Sequence, residues 1–163
     1  MRHVKGDKKI IDELNGLLAY EMLAADQYFI HAHVYEDMGL NRLFERIKHE
    51  QEEELEHAQK LIRRILFLQG APDLGSRASP KIADDVPGML KADLAIEIKV
   101  VGDLKRVMAL AEDKKDYITR DMLRTLLDDT EEDHVWWLEK QLRLIDSMGL
   151  ENYLQTQMDG SKA

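Results

Sequence analysis

A Glu-x-x-His pair in the middle of an apolar stripe constrains this chain more than any other feature of its sequence. Glu54 and His57 lie three residues apart, so on a helix both side chains project from the same face. Apolar residues at helical spacing show that the helix buries this face: Ile47, Leu61 and Ile65. Because an ionised carboxylate in a buried stripe is costly without a compensating partner, the pair needs such a partner elsewhere in the fold.

Three further helical stripes contain an acid at a core position in the same way. Glu21 interrupts the stripe of the first helix and Glu97 interrupts that of the third. Glu131 and His134 repeat the Glu-x-x-His spacing in the fourth. Four helices that each direct one Glu inward, two of them with a His three residues later, form the ligand pattern of a di-iron or di-manganese carboxylate bundle.

Each part of this pattern is weak evidence when it stands alone. A single Glu-x-x-His pair arises by chance on solvated faces, and a single buried Glu is more often satisfied by an Arg or a Tyr. The joint pattern is specific, because four clustered carboxylates without metal would repel one another and destabilise the core. Two divalent cations would neutralise them, and oxygen and imidazole donors suit iron or manganese. The predicted metal ligands are Glu21, Glu54, His57, Glu97, Glu131 and His134.

Two long helices are predicted in the first half of the chain. The first runs from about 8 to 38, where Gly39 ends it, and the second runs from Asn41 to about Leu68. At a rise of about 1.5 Å per residue, each is about 40 Å long, which is typical of helix bundles.

A long connection separates this first pair of helices from a second pair. Residues 70–86 are rich in Gly, Pro and Ser and predict a crossover, after which Asp85 caps the third helix. A short break at 112–117 precedes the fourth helix, which Gly149 ends. The last amphipathic piece, 150–158, predicts a short fifth helix. The fold class is therefore all-α, a four-helix bundle with a long crossover between the second and third helices.

Composition limits the class of protein and its partners. With 163 residues the chain suits one domain, 1–163, with the bundle at about 8–148. A formal charge of −9 argues against nucleic acid as a partner. The sequence contains no Cys, which excludes disulfides, thiolate metal sites and thiol nucleophiles. Since the polar start lacks a signal-peptide core and no apolar run approaches a membrane span, we expect a cytoplasmic protein without a membrane partner.

Three other polar residues of the first helix have less definite assignments. Tyr28 lies two turns beyond the carboxylate of that helix on the same face. It is therefore either a hydrogen-bond or one-electron donor near the metals or a core aromatic residue with a bonded hydroxyl. His31 and His33 are interpreted as ordinary surface or boundary residues.

Beyond these patterns, almost the whole chain resembles bacterioferritin. The resemblance is carried by VKGDKKIIDELN, YEMLAADQYFIHA, RRILFLQGAP, DLAIEI, YITRDML and MGLENYLQTQ, in that order. It implies a ferritin-like bundle that assembles into a hollow cage of 24 subunits. It also implies that Fe(II) is oxidised by O2 or H2O2 at a di-iron ferroxidase centre inside each subunit and stored as a ferric mineral. The six predicted ligands occupy the ferroxidase-ligand positions.

The resemblance also implies secondary iron positions and a partner. His49 and Glu53 match positions that can carry iron on the inner surface of the cage in this family. A ferredoxin-type electron donor for iron release is a candidate partner.

One position departs from the family pattern. A Met that ligates haem directly follows the second-helix Glu in bacterioferritin, whereas this chain has Leu55. Because Leu has no donor atom, haem is not expected in a homo-oligomer of this chain. Leu55 continues a lateral stripe with Phe44, Ile62 and Leu66, which suits an apolar dimer seam. Some members of the family have two subunit types, one with the ferroxidase ligands and one with the haem-ligating Met. A haem-bearing second subunit is therefore a candidate partner of this ferroxidase-type chain.

Two other functions remain open at this point. The first is a di-iron peroxidase or oxidase that stores no mineral, which iron loading well beyond two ions per chain would exclude. The second is a structural cage subunit whose acids are vestigial and which works with a haem-bearing partner. A chain that binds no iron or manganese would support this second alternative.

Overall fold

The computed structural model of the protein describes residues 3–158, and within that range it contains helices, turns and no strand. The elements are α1 (Lys8–Asp37), α2 (Asn41–Phe67), α3 (Val86–Asp113), α4 (Tyr117–Asp128), a π-helical segment (Asp129–Val135), α5 (Trp136–Met148) and α6 (Leu150–Met158). Since α4, the π segment and α5 follow one another without a break, they form the fourth rod of the bundle. None of the helices in the described range is long and apolar enough to cross a bilayer.

Side-chain caps account for where several helices begin and end. Asp7 accepts backbone hydrogen bonds from the first turn of α1, and Asp85 accepts one from Gly88 at the start of α3. Asp116 does the same for α4. Gly149 ends α5 with φ at +82°, a left-handed conformation that glycine adopts without strain.

The contacts between the rods confirm the predicted bundle. α1 packs along α2 and α3, α3 packs against the fourth rod, and α2 contacts α4. The connection between α2 and α3 is irregular, as predicted for a crossover. The short α6 packs on α2 and α5 at one end of the bundle.

Two apolar clusters fill the bundle, and buried polar residues separate them along every rod. One cluster contains Leu18, Ala58, Val100 and Leu126, whereas the other contains Ala24, Ile47, Leu90 and Leu138. Between these positions in the sequence lie the buried polar residues Glu21, Glu54, Glu97 and His134. The polar belt therefore lies at the middle of the bundle, shielded from water by apolar packing on both sides.

Candidate metal centre

The first group of potential ligands joins α1 to α2. Glu21, Glu54 and His57 are all buried, and each offers one ligand atom within 4.8 Å of the others. The Nδ1 atom of His57 lies 3.3 Å from Oε2 of Glu21 and 3.6 Å from Oε2 of Glu54. Two carboxylates and one imidazole nitrogen thus converge on one point.

A second group shares Glu54 with the first and adds α3 and the π segment. Glu54, Glu97 and His134 are buried and also offer ligand atoms within 4.8 Å of one another. His134 Nδ1 lies 2.9 Å from Oε1 of Glu54 and 3.6 Å from Oε1 of Glu97. Because Glu54 turns one oxygen to each histidine, it can bridge two cations.

Unpaired polar atoms show that the two groups fit metal. Among the described residues, Glu21 Oε1 and Glu97 Oε2 are buried and have no hydrogen-bond partner, while Glu54 Oε1 and His134 Nδ1 face each other at 2.9 Å. A buried polar atom without a partner is costly, and two in one place are rare in native proteins. Carboxylate oxygens and imidazole nitrogens, without thiolate, are donors that suit iron or manganese.

The pKa values of these groups show the effect of burying several carboxylates close together. Burial raises the pKa of Glu21 well above its usual value, and the negative charge of Glu54 raises it further. Burial acts to lower the pKa of His57, but hydrogen bonding to Glu21 and Glu54 outweighs it and raises the pKa to about 11. For His134, contacts with Glu50 and Glu53 likewise outweigh burial and raise the pKa well above its usual value. Without metal, protons therefore act as the compensating cations.

Metal binding is expected to release at least two protons per chain at pH 7, because both histidines must lose a proton before Nδ1 can coordinate and the raised pKa of Glu21 favours its protonated form without metal. Titration calorimetry with Zn(II) in buffers of different ionisation enthalpy measures this number. A matched variant, His57→Gln, is expected to release about one proton fewer. Binding of two Zn(II) ions without proton release would contradict the protonated metal-free state.

The structure places the side chain of Glu131 apart from the other five predicted ligands. Its side chain is 46% exposed, and Oε2 pairs with Nζ of Lys105 on α3 at 2.9 Å. The sequence prediction assumed α-helical spacing, in which a residue three before His134 shares its face. In the π segment the backbone follows an i→i+5 pattern, so Thr130 and His134 are buried and Glu131 faces outward. Five of the six predicted ligands come together, and Glu131 does not join them.

Tyr28 lies beside the second ligand group and belongs to the second apolar cluster, a position that agrees with both of its interpretations. Its hydroxyl donates a short hydrogen bond to Oε1 of Glu97. Burial, followed by the nearby charge of Glu97, raises the pKa of Tyr28 well above its usual value, so the phenol stays protonated. Tyr28 therefore holds one oxygen of Glu97, while the other oxygen remains unpaired.

An outer carboxylate group lies on the far side of His134. Nε2 of this ring lies 2.7 Å from Oε2 of Glu53 and also contacts Glu50, which is buried. Arg46 pairs with Glu50 and reaches Asp133 at 2.8 Å. The hydrogen bond with His134 lowers the pKa of Glu53 to about 2.

Two details of this outer group differ from the sequence interpretation. Glu53 turns toward His134 while its other oxygen pairs with the exposed His49 at 2.8 Å. Glu50 was not singled out, although it lies four residues before Glu54 and three after Ile47, a spacing that marks the buried face.

The comparisons with known proteins place the chain in a family. A family model described as a ferritin-like domain matches residues 11–148. The chain belongs to the ferritin family. It is 52% identical over 154 residues to a bacterial ferritin of Paramagnetospirillum magnetotacticum, covering 94% of each chain. It is 49% identical to a bacterial ferritin of Synechocystis, over 95% of this chain and 99% of the relative, and 36% identical to a bacterioferritin of Brucella melitensis, over 93% and 94%.

This ferritin-family chain also contains a buried histidine–aspartate contact that sequence reasoning missed. His31, interpreted as a surface or boundary residue, is fully buried, and its Nδ1 lies 2.9 Å from Oδ1 of Asp93. Gln27 donates a hydrogen bond to the same oxygen at 2.8 Å. The available signal was the position of Asp93 four residues before Glu97, one turn along the same face of α3.

The predicted lateral stripe on α2 lies at the surface of the single chain. Leu55 is 40% exposed and Leu66 is 54% exposed, while Phe44 and Ile62 are partly buried. Leu55 thus points away from Glu54 and His57, the predicted ligands on either side of it in the sequence.

Proposed function

We propose that this chain stores iron and oxidises it. Two Fe(II) ions bind as substrate at Glu21, Glu54, His57, Glu97 and His134, and they leave as Fe(III) for a mineral inside the cage. The observation that carries the proposal is the pair of buried ligand groups that share Glu54, with an unpaired oxygen on Glu21 in one group and on Glu97 in the other. A bridging carboxylate holds two ions a few ångströms apart, a spacing typical of two-metal sites.

The number of electrons that the two Fe(II) ions release determines which oxidants can react with them. Two Fe(II) ions together release two electrons, which reduce O2 to H2O2 with two protons or H2O2 to two water molecules with two protons. The protein holds both ions in one buried site, so both electrons are available to one oxidant molecule. Tyr28 keeps Glu97 oriented through its hydrogen bond, and the apolar clusters on either side exclude bulk water.

The cage and its partners are part of the same proposal. Copies of this chain assemble into a 24-subunit cage in the cytoplasm, with the apolar row of Leu55 and Leu66 on α2 at a dimer seam. A haem-bearing second subunit in the cage and a ferredoxin-type electron donor for iron release are the proposed partners. The similarity to bacterial ferritins over nearly the whole chain supports this assembly.

Aerobic iron loading tests storage against the two alternatives. The purified protein is mixed with successive additions of Fe(II), and iron that elutes with the protein is counted per chain. We expect loading far beyond two ions per chain, which excludes an oxidase without mineral. Loading that stops at two would contradict storage, and failure to bind any iron or manganese would favour the structural subunit.

Haem analysis tests the interpretation of Leu55. The homo-oligomer purified from haem-supplemented cells is expected to show no haem absorption, since the exposed Leu55 offers no donor atom. The variant Leu55→Met supplies a thioether at the same place and is expected to gain absorption at the Soret wavelength. Stoichiometric haem in the wild-type homo-oligomer would contradict this account.

A further inference from the structure

The π segment brings a different carboxylate to the centre from the one that the Glu-x-x-His motif indicates. Oδ2 of Asp129, the first residue of the segment, lies 3.0 Å from Nε2 of His57. Glu131, two residues later, is directed to Lys105. Of these two acids, only Asp129 contacts a residue of the ligand groups.

His57 lies between Asp129 and the first ligand group. Its Nδ1 faces Glu21 and Glu54 at 3.3 and 3.6 Å, whereas its Nε2 faces Asp129. A neutral imidazole carries its proton on one nitrogen and a lone pair on the other. If the proton is on Nε2, where Asp129 accepts it, the lone pair of Nδ1 is directed at the metal position.

The same arrangement recurs at the second histidine, through different residues. His134 directs Nδ1 to Glu54 and Glu97 and Nε2 to the carboxylates of Glu50 and Glu53. Histidine ligands in metal sites generally donate their second N–H to a carboxylate or carbonyl, which sets the tautomer and the ring orientation. Both histidines of this centre therefore show the geometry of an oriented ligand.

We propose that Asp129 is the positioning residue of His57. This role rests on the proposed function, because it presupposes that His57 ligates metal. Asp129 acts on the first group alone, since its carboxylate contacts His57 and the second group is oriented by Glu50 and Glu53. The carboxylate is half exposed, so water competes for it and we expect an effect near the lower end of the range for such residues, about 10-fold in metal affinity.

Anaerobic titration with Co(II), followed by its visible absorption and by calorimetry, tests the role without any turnover. The assembled wild-type protein is expected to bind two Co(II) ions per chain. Asp129→Leu removes the acceptor and is expected to weaken one of the two sites about 10-fold, leaving the other unchanged. Asp129→Asn keeps a carbonyl oxygen in place and is expected to restore most of the lost affinity. Asp128→Asn, the matched control one residue earlier, removes an exposed acid that pairs with Arg124 and is expected to bind both ions as the wild type does.

The outcomes separate this role from the proposed function. Wild-type affinity at both sites in Asp129→Leu would overturn the positioning role and leave the proposed function intact. Equal weakening of both sites, or no recovery of affinity in Asp129→Asn, would show that Asp129 has only a general structural role. Either result would also overturn the positioning role. Equal weakening by Asp128→Asn would show that the loss of any acid in this stretch weakens binding and would overturn the role of Asp129. A wild-type protein that binds no Co(II) at all would overturn the proposed function, and this role with it.

Discussion

Replacing Glu54 with alanine is expected to reduce the fast phase of aerobic Fe(II) oxidation by about 100-fold or more, a loss of about 2.7 kcal/mol or more of transition-state stabilisation. Among the described residues, Glu54 alone belongs to both ligand groups, so its loss removes an oxygen from each ion position. Stopped-flow absorption at two Fe(II) per chain measures the fast phase.

Two further variants make this result specific to the carboxylate. Glu54→Gln keeps the volume of the buried side chain and removes its charge, so it is expected to lose most of the fast phase without leaving a cavity. Glu56→Gln alters an exposed acid of the same helix and is expected to oxidise Fe(II) at the wild-type rate. A fast phase at the wild-type rate in Glu54→Ala would show that the shared carboxylate is not required for Fe(II) oxidation.

Binding of Zn(II), which has no redox chemistry here, is expected to raise the unfolding midpoint of the protein by about 10–20 °C. Each ion present at 100 times its dissociation constant stabilises the folded state by about 2.7 kcal/mol, and the chain offers two positions. The cations also replace the protons that compensate buried carboxylates in the metal-free state.

The thermal shift has its own control and its own dependence on pH. Burial and the charge of Glu54 raise the pKa of Glu21 in the fold, and the pKa of His57 is raised to about 11. A group whose pKa is higher in the folded state than in the unfolded state stabilises the fold fully at pH values below its unfolded-state pKa. This stabilisation is lost as the pH rises through its folded-state pKa. The metal-free protein should therefore lose stability as pH rises from 7 toward 11, and Zn(II) should restore it. Glu54→Ala is expected to show little Zn(II)-dependent shift, and a full shift in that variant would contradict the shared site.

The four rods and most of the centre follow from helical periodicity. Apolar residues spaced three and four apart locate the buried face of α1 and α2. The same helical spacing places Glu21 and Glu54 on that face. The capping residue Asp85 and the terminal Gly149 lie where the sequence predicted, because their roles depend on local backbone geometry alone.

The missed features depend on information that a fixed helical period does not contain. Glu131 was assigned with α-helical spacing, whereas the backbone from Asp129 to Val135 is π-helical. A residue three before His134 then leaves the buried face, and Asp129 reaches His57 instead. The pairing of His31 with Asp93 joins two helices far apart in sequence, so only the packed structure reveals that the histidine has a buried partner.

The most direct test of the account is the position of the metals themselves. A crystal of the protein soaked anaerobically with Fe(II) and measured at the iron absorption edge gives anomalous peaks at each ion. We predict two peaks per chain, one beside Glu21, Glu54 and His57 and one beside Glu54, Glu97 and His134. The absence of both peaks from these positions, with iron bound elsewhere on the chain, would contradict the central claim that this buried belt is the iron site.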